Sequence, residues 1–290
     1  MSTTTTIQTA PLGPRTVRRI GFGAMQLAGP NAFGPPADPA AARAVLRRAV
    51  ERGVDHIDTA QVYGPDVVDE LIAEALHPYP GDLVIATKVG GARDAQGAWI
   101  PASRPEELRA TLEADLRLLR RERIDLVYLR RGVGGPAADE VPLADQVGAL
   151  VELRAEGKLD LIGLSTVSAG DVEAALGITP IAAVQNPFSI LDRADRPVVD
   201  LCRERGIAYV PYFPLGSAFG GGPAALAADP AIAAVAQRHG ATPAQVALAW
   251  LLAHDGMLII PGTSSIAHLE ENLAAGAVRL DAQDLAALER

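Results

Sequence analysis

The chain has 290 residues, of which 49% are hydrophobic, and it carries a formal net charge of −9. The negative charge argues against a nucleic acid or an anionic membrane as partner. A single cysteine, Cys202, excludes disulfides within the chain and metal sites built from several cysteines.

Short apolar segments alternate with amphipathic segments along most of the chain. The apolar segments are predicted strands, at residues 18–22, 55–58, 83–88, 124–130, 160–164, 181–185, 207–211 and 257–260. The amphipathic segments are predicted helices, at residues 38–52, 66–76, 105–121, 143–156, 169–176, 195–205, 243–254 and 266–275, with a last helix at 281–289. Eight apolar strands that alternate with helices predict parallel pairing, and hence an α/β fold of the (β/α)8 TIM barrel type.

The organisation of the chain is simple. We find no repeat and no linker, so we predict a single domain over residues 1–290, with residues 1–12 as a flexible N-terminal segment. No apolar stretch reaches the roughly 20 residues that span a membrane. The first residues are rich in threonine and lack a signal-peptide pattern, so we expect a soluble, cytoplasmic protein. Nothing in the sequence indicates an oligomeric state.

Three reactive side chains end consecutive predicted strands. Asp58, Lys88 and Arg130 close the second, third and fourth strands, and Tyr63 follows Asp58 by five residues. In a β/α barrel these strand ends form the catalytic rim. An ammonium favours the phenolate form of a nearby phenol, and a carboxylate orients the ammonium, so the set predicts a proton-transfer site.

Long irregular segments also follow strands, and we expect them to shape a pocket on the same rim. They are residues 23–37, 89–104, 131–142 and 212–228.

Several short motifs occur in the order and spacing of one enzyme family. They are Gly21 to Met25, Asp58-Thr59-Ala60 with Tyr63-Gly64, Ala86-Thr87-Lys88, Gly163-Leu164-Ser165, Val184-Gln185-Asn186, and Ile260 to Ser264 with Glu271-Asn272. On these motifs the chain resembles the aldo-keto reductases over nearly its whole length. Residues 23–36 and 261–269 are most similar to the bacterial branch that includes pyridoxal reductase.

The resemblance implies roles for the reactive residues. Tyr63 matches the tyrosine that donates a proton to the carbonyl, and Lys88 and Asp58 match its activating pair. Arg130 stands where the family usually has histidine, and it can only donate hydrogen bonds. We expect Arg130 to polarise the carbonyl oxygen and to pair with the ionised ring oxygen of a pyridoxal-type substrate. We expect the adjacent Arg131 to point away from the site.

The resemblance also implies a nicotinamide cofactor. Gly21-x-Gly23 runs into a loop rather than a helix, so it is not a Rossmann fingerprint. By this resemblance, Gly23, Ala24 and Met25 lie beside the nicotinamide, and Ser165, Thr166 and Gln185 bind its carboxamide. Tyr212 stacks on the nicotinamide ring, and Pro214, Leu215 and Gly216, which follow Tyr212 in the chain, also contact the cofactor. The remaining matching positions lie in and after the loop before the helix at 266–275, and they are Gly262, Thr263, Ser264, Ser265, His268, Glu271 and Asn272. The family more often has asparagine where Thr166 stands.

The start of that helix suits a phosphate, because it presents free N–H groups and a positive dipole end. Simple capping of the helix is the alternative role for its serines and threonine. His268 is the only basic residue of the motif. We therefore expect NADPH as cofactor, with NADH possible at a weaker preference.

The predicted function is NADPH-dependent reduction of a small-molecule carbonyl substrate, with pyridoxal to pyridoxine as the leading reaction. One alternative is a reductase of another aldehyde or ketone in a biosynthetic pathway. Another is a redox sensor or assembly subunit that binds the cofactor without catalysis. Arg130 keeps that second alternative open, whereas the intact Asp58, Tyr63 and Lys88 set favours catalysis. We expect no metal, since no His, Asp and Glu cluster has ligand spacing.

Overall fold

A ring of parallel strands forms the centre of the protein. The computed structural model describes residues 8–133, 141–216 and 222–289. Its strands are β1 (Thr9–Leu12), β2 (Arg15–Arg18), β3 (Phe22–Gly23), β4 (His56–Asp58), β5 (Val84–Arg93), β6 (Trp99–Ala102), β7 (Ile124–Arg130), β8 (Leu159–Ser165), β9 (Ala183–Gln185) and β10 (Ala208–Tyr209). Its α-helices are α1 (Pro39–Glu51), α2 (Val67–Leu76), α3 (Pro105–Leu118), α4 (Leu143–Ala155), α5 (Ala169–Leu176), α6 (Arg196–Arg205), α7 (Gly222–Ala228), α8 (Pro230–His239), α9 (Pro243–Leu252), α10 (Ile266–Ala274) and α11 (Ala282–Leu288).

Seven strands follow one another in parallel around the ring, in the order β3, β4, β5, β7, β8, β9 and β10. The predicted eighth strand closes it through single parallel bridges, from Met257 to Tyr209 and from Ile259 to Ile20. The backbone N–H of Leu258 donates to the Tyr209 carbonyl at 2.9 Å, and that of Ile259 donates to the Arg19 carbonyl at 2.8 Å. The predicted (β/α)8 barrel is confirmed.

Two apolar layers hold the barrel together. Side chains that point into the ring form one layer, and side chains between the strands and the surrounding helices form a larger one. Leu12 and Val17 belong to the inner layer, because β1 and β2 form an antiparallel hairpin whose apolar face packs there. The expectation of a flexible segment through residue 12 is therefore wrong for residues 9–12. Residues 1–7 lie outside the described part of the chain.

Local sequence signals account for most helix boundaries. Asp38 caps α1 by accepting from the backbone N–H of Ala41 at 2.9 Å, and Pro39 occupies the first helical position. Helix α8 was not predicted, although it begins with Asp229 as cap and Pro230 and ends at Gly240 in the left-handed conformation. Its composition is rich in alanine, which weakens the contrast between an apolar and a polar face.

Two further elements lie in segments predicted to be irregular. Strand β5 continues past the barrel rim to Arg93 and turns back as β6, so the segment 89–104 contains an antiparallel hairpin. Helix α7 lies in the segment 212–228, within which residues 217–221 are outside the described part. Both elements follow a barrel strand and stand at the rim where the reactive residues lie.

Candidate active site

Lys88 is the centre of a buried polar cluster at the rim. Its ammonium forms an ion pair with Oδ1 of Asp58 and donates to the Thr59 carbonyl at 3.0 Å. The Lys88 Nζ atom lies 5.2 Å from the centroid of the Tyr63 ring. Asp58, Tyr63 and Lys88 are 5%, 5% and 3% exposed. The parallel strands β4 and β5 are neighbours, and Asp58 at the end of β4 pairs with Ala86 of β5, two residues before Lys88, which is why residues 30 positions apart in the sequence meet.

The second oxygen of Asp58 is also engaged. Oδ2 accepts from Nε2 of Gln185, at the end of β9, at 2.8 Å. Gln185 in turn hydrogen bonds the hydroxyl of Tyr128, whose pKa is raised by burial and by the charge of Asp58. Tyr128 was not predicted, but it lies two residues before Arg130 on β7, and side chains two apart on a strand share a face.

Arg130 extends from the end of β7 and is half-buried. Its guanidinium carbon lies 5.1 Å from the ring centroid of Trp99, and the guanidinium carbon of Arg93 lies 3.9 Å from the same centroid. Arg93 and Trp99 were not predicted as site residues, because they belong to the β5–β6 hairpin. Arg131 is also among the residues that line the cavity described next.

A single open cavity of about 1210 Å³ connects these groups. Tyr63, Asp58, Arg93, Trp99 and Arg130 line one part of it. The sequence-predicted cofactor residues that line it are Gly23, Met25, Thr166, Gln185, Tyr212, Pro214, Leu215, Gly216, Gly262 and Ser264. The cavity therefore runs from the reactive cluster to the loop that precedes α10.

Other predicted cofactor residues do not line the cavity. Ala24, Ser165, Thr263 and Asn272 are buried, and His268 is exposed. Glu271 is directed to α9, where its carboxylate accepts from the Thr242 hydroxyl at 2.6 Å and its carbonyl accepts from Gln245 at 3.1 Å.

Two glycine residues allow close backbone contacts in the cavity wall near α10. A Cβ atom on Gly262 would lie 2.4 Å from the Gly23 carbonyl oxygen, and one on Gly23 would lie 2.5 Å from the Ile260 carbonyl oxygen. Only glycine allows this approach of two backbones. Ser265 caps α10 through the backbone N–H of His268, so the capping role is present, while the neighbouring Ser264 is exposed to the cavity.

Tyr212 also lines the cavity. Burial raises the pKa of its hydroxyl, and a hydrogen bond from Thr166 and the positive charge of Arg130 oppose that rise. Thr166 has a φ of 59°, which is unusual for a β-branched residue. The Tyr212 ring offers a planar surface for a planar ligand, and Arg130 lines the same cavity.

Neither a metal site nor a membrane-spanning helix is found in the described residues. No group of three or more His, Cys, Asp or Glu side chains there could hold a metal ion. Of the helices in residues 8–133, 141–216 and 222–289, none has the length and apolar character needed to cross a membrane.

Comparisons with known proteins give one consistent result. The model of the Aldo/keto reductase family matches residues 19–290. The chain is 45% identical over 285 residues to pyridoxine 4-dehydrogenase of Escherichia coli (strain K12), which covers 97% of each chain. Among solved structures, a thermostable aldo-keto reductase in complex with the inhibitor epalrestat superposes with a TM-score of 0.82 at 26% identity, over 98% of this chain and 99% of that one. An aldo-keto reductase from Klebsiella pneumoniae in complex with NADPH superposes with a TM-score of 0.81 at 27% identity, over 98% and 94%.

Proposed function

Since the chain belongs to the aldo/keto reductase family, we propose that it uses NADPH to reduce pyridoxal to pyridoxine. The observation that carries the proposal is the buried Asp58–Lys88 ion pair beside Tyr63, in the wall of an open cavity. The name of the relative at 45% identity supports pyridoxal as substrate, and the solved structure that contains NADPH supports the cofactor.

The residues around the cavity fit a nicotinamide dinucleotide. Gly23 and Gly262 line the cavity, and Tyr212 offers a face for the nicotinamide ring. Ser264 and the free N–H groups at the start of α10 suit the phosphate. When bound, NADPH supplies the hydride that is added to the carbonyl carbon.

Tyr63 donates its hydroxyl proton to the carbonyl oxygen as that oxygen becomes an alcohol. Lys88, held by Asp58 and the Thr59 carbonyl, stabilises the phenolate that remains. Because Lys88 is almost fully buried, water screens its charge little. Arg130 donates to the substrate oxygen but cannot exchange a proton, so the proton comes from Tyr63 alone.

Arg130 also favours pyridoxal over a neutral aldehyde. The ring hydroxyl of pyridoxal ionises readily, and an oxygen anion beside a guanidinium forms a charge-assisted hydrogen bond. A reductase of another, neutral aldehyde or ketone would have the same proton donor and the same donor to the carbonyl oxygen, but its substrate would lack the second, charge-assisted contact.

A single-turnover assay tests the proposal. Enzyme in excess is mixed with NADPH or NADH and a panel of aldehydes that includes pyridoxal, and the loss of cofactor absorbance is recorded. We expect fast loss with NADPH and pyridoxal, slower loss with neutral aldehydes, and a modest preference over NADH. Preference for another carbonyl would replace pyridoxal as substrate. Cofactor binding without oxidation by any carbonyl would identify a non-catalytic cofactor-binding protein instead.

A further inference from the structure

Two positively charged side chains flank one indole at the mouth of the cavity. The guanidinium carbons of Arg93 and Arg130 lie 3.9 and 5.1 Å from the ring centroid of Trp99. Trp99 is 37% exposed, and all three side chains line the cavity that Tyr63 lines. The hairpin of β5 and β6 brings Arg93 and Trp99 together, because these two residues are paired across it.

Neither cation is neutralised within the described residues. Arg93 donates to the carbonyls of Gly97 and Asn31 at 2.7 and 3.0 Å, and these acceptors are uncharged. No carboxylate in residues 8–133, 141–216 or 222–289 forms an ion pair with Arg93 or Arg130. The carboxylates that line the same cavity are engaged elsewhere, Asp58 with Lys88 and Asp38 with the N-terminus of α1.

The two cations are close enough to repel each other. Burial lowers the pKa of the Arg93 guanidinium, and the charge of Arg130 lowers it further. The Nε atom of Arg93 is buried and has no hydrogen-bond partner among the described residues. A ligand with a negative charge would relieve this repulsion, and the two carbonyls that fix Arg93 hold its guanidinium in place before the ligand arrives.

We propose that Arg93, Arg130 and Trp99 form a binding site for the anionic group of an aromatic carbonyl substrate, with Arg93 as a residue that determines specificity. The inference rests on the proposed function, because it assigns this site to the carbonyl substrate. It extends that function from one compound to a class, namely planar aldehydes that carry an anionic oxygen.

A pair of matched aldehydes tests the proposal. 4-Carboxybenzaldehyde carries the anion, and its methyl ester has the same framework without the charge. The variant Arg93→Gln should lower kcat/KM for the acid by about tenfold or more, since a charge-assisted contact is lost. The ester should change less than about twofold on the same principle. Arg123→Gln is the control, because Arg123 is exposed just before β7, at the opposite end of the strand that carries Arg130.

An unchanged ratio of acid to ester in Arg93→Gln would overturn the proposal. Binding of terephthalate, measured by calorimetry, separates this result from failure of the proposed function. If the wild type reduces neither aldehyde but binds terephthalate in a manner that depends on Arg93, the reductase function is wrong and the anion site stands. If Arg93→Gln binds terephthalate as the wild type does, the anion site is wrong.

A second observation concerns two carboxyl groups buried behind the Asp58–Lys88 pair. Asp69 on α2 accepts from the Thr59 hydroxyl at 2.7 Å, and Asp115 on α3 accepts from the Thr87 hydroxyl at 2.9 Å. Both aspartates are 0% exposed. Thr59 follows Asp58 and Thr87 precedes Lys88 in the chain, so the two carboxyl groups brace the backbone at both members of the ion pair.

One proton shared between the carboxyl groups would satisfy their remaining oxygens. Oδ2 of Asp69 and Oδ1 of Asp115 are buried and find no donor in the described residues, and the two carboxyl groups interact electrostatically with each other. Burial raises the pKa of Asp69 to about 6, and burial together with the charge of Asp69 raises that of Asp115 well above its usual value. Asp66 raises both values, whereas Lys88 lowers that of Asp69, and Tyr79 also faces Asp69.

We infer that Asp69 and Asp115 hold one proton between them and are positioning residues for Asp58 and Lys88, acting through Thr59 and Thr87. Loss of the shared proton leaves two buried negative charges in contact. The carboxylates then repel each other, and the strand ends that they brace are no longer held.

The variant Asp115→Asn tests this inference, because an amide can accept from Thr87 and donate to Asp69 without any titrating proton. Turnover at pH 7 should stay within about twofold of the wild type, and kcat should begin to decline at a higher pH than in the wild type. Asp115→Ala should lower kcat about tenfold or more, with an unchanged dissociation constant for NADPH. An alkaline decline in Asp115→Asn identical to that of the wild type would overturn the inference, whether or not Asp115→Ala folds.

Discussion

The Nε2 atom of Gln185 donates to Oδ2 of Asp58 at 2.8 Å, which is the carboxyl oxygen that Lys88 does not bind. A residue predicted to hold the cofactor therefore also orients the acid of the reactive set. Because both oxygens of Asp58 have donors, its carboxylate is fixed in one orientation, and Lys88 is fixed with it.

The variant Gln185→Met should lower kcat by about tenfold or more, since Oδ2 of Asp58 loses its donor in a buried place. Gln146→Met is a matched control, because Gln146 is also buried and donates to the Ser103 carbonyl, far from the cavity lining. Both variants should lose about 1–3 kcal/mol in the free energy of unfolding, which urea titration measures. An equal loss of kcat in both would show that Gln185 acts only on stability.

The variant Tyr63→Phe should reduce aldehyde turnover on the order of 10²–10⁴-fold, since it removes a positioned proton donor. The dissociation constant for NADPH should stay nearly unchanged, because the Tyr63 hydroxyl is not among the groups expected to contact the dinucleotide. Stopped-flow absorbance measures the first quantity and fluorescence titration the second. Near-normal turnover in Tyr63→Phe would remove the proton-donor role.

Much of this site follows from the sequence because barrel topology is regular. Once Asp58 and Lys88 are read as the ends of neighbouring parallel strands, their contact follows without knowledge of any loop. The pairing of Asp69 with Asp115 could not be predicted in this way. These residues lie on different helices, and the distance between two helix faces depends on the packing of the helices and not on spacing in the sequence.

The rim loops limit prediction for a different reason. Arg93 and Trp99 lie in a segment with little strand periodicity, and β5 extends through Gly90 and Gly91 before it turns. Gly90 has a φ of 107°, and a Cβ atom there would lie 2.2 Å from the Arg130 carbonyl oxygen. The close approach of these two strands brings Arg93 near Arg130, and only the folded backbone reveals it.

Arg130 is the residue in which the chain departs from the family it resembles, and two substitutions test its role. Arg130→Met should lower kcat for aldehyde reduction, since the guanidinium that donates to the substrate oxygen is lost. It should impair pyridoxal more than a neutral aldehyde of similar size. Arg130→His should retain measurable activity, because histidine can donate to the carbonyl oxygen. Unaltered turnover and substrate ranking in both variants would support a purely structural Arg130.

The Asp69–Asp115 pair predicts a specific effect of pH on stability. The usual pKa of an unfolded aspartate is near 4, and the pair retains a proton in the folded state at higher pH because its pKa values are raised. The folded state then binds more protons, so the free energy of unfolding falls as pH rises, by up to about 1.4 kcal/mol per pH unit for one proton. Asp115→Asn should lack this contribution. Urea titrations from pH 5 to pH 8 on both proteins give the difference in slope, and parallel curves would contradict a shared proton.

Thr166 combines a β-branched side chain with a φ of 59°, so its backbone is strained. Asparagine adopts this left-handed conformation more readily. Thr166→Asn should therefore raise the free energy of unfolding by about 1 kcal/mol, as measured by urea titration. Thr166→Ala is the control, since it removes the β-branch and also the hydroxyl that bonds Tyr212. If strain dominates, the asparagine variant is more stable than the wild type and the alanine variant lies at or below it. If the bond to Tyr212 dominates, both variants are less stable than the wild type, because each lacks the hydroxyl.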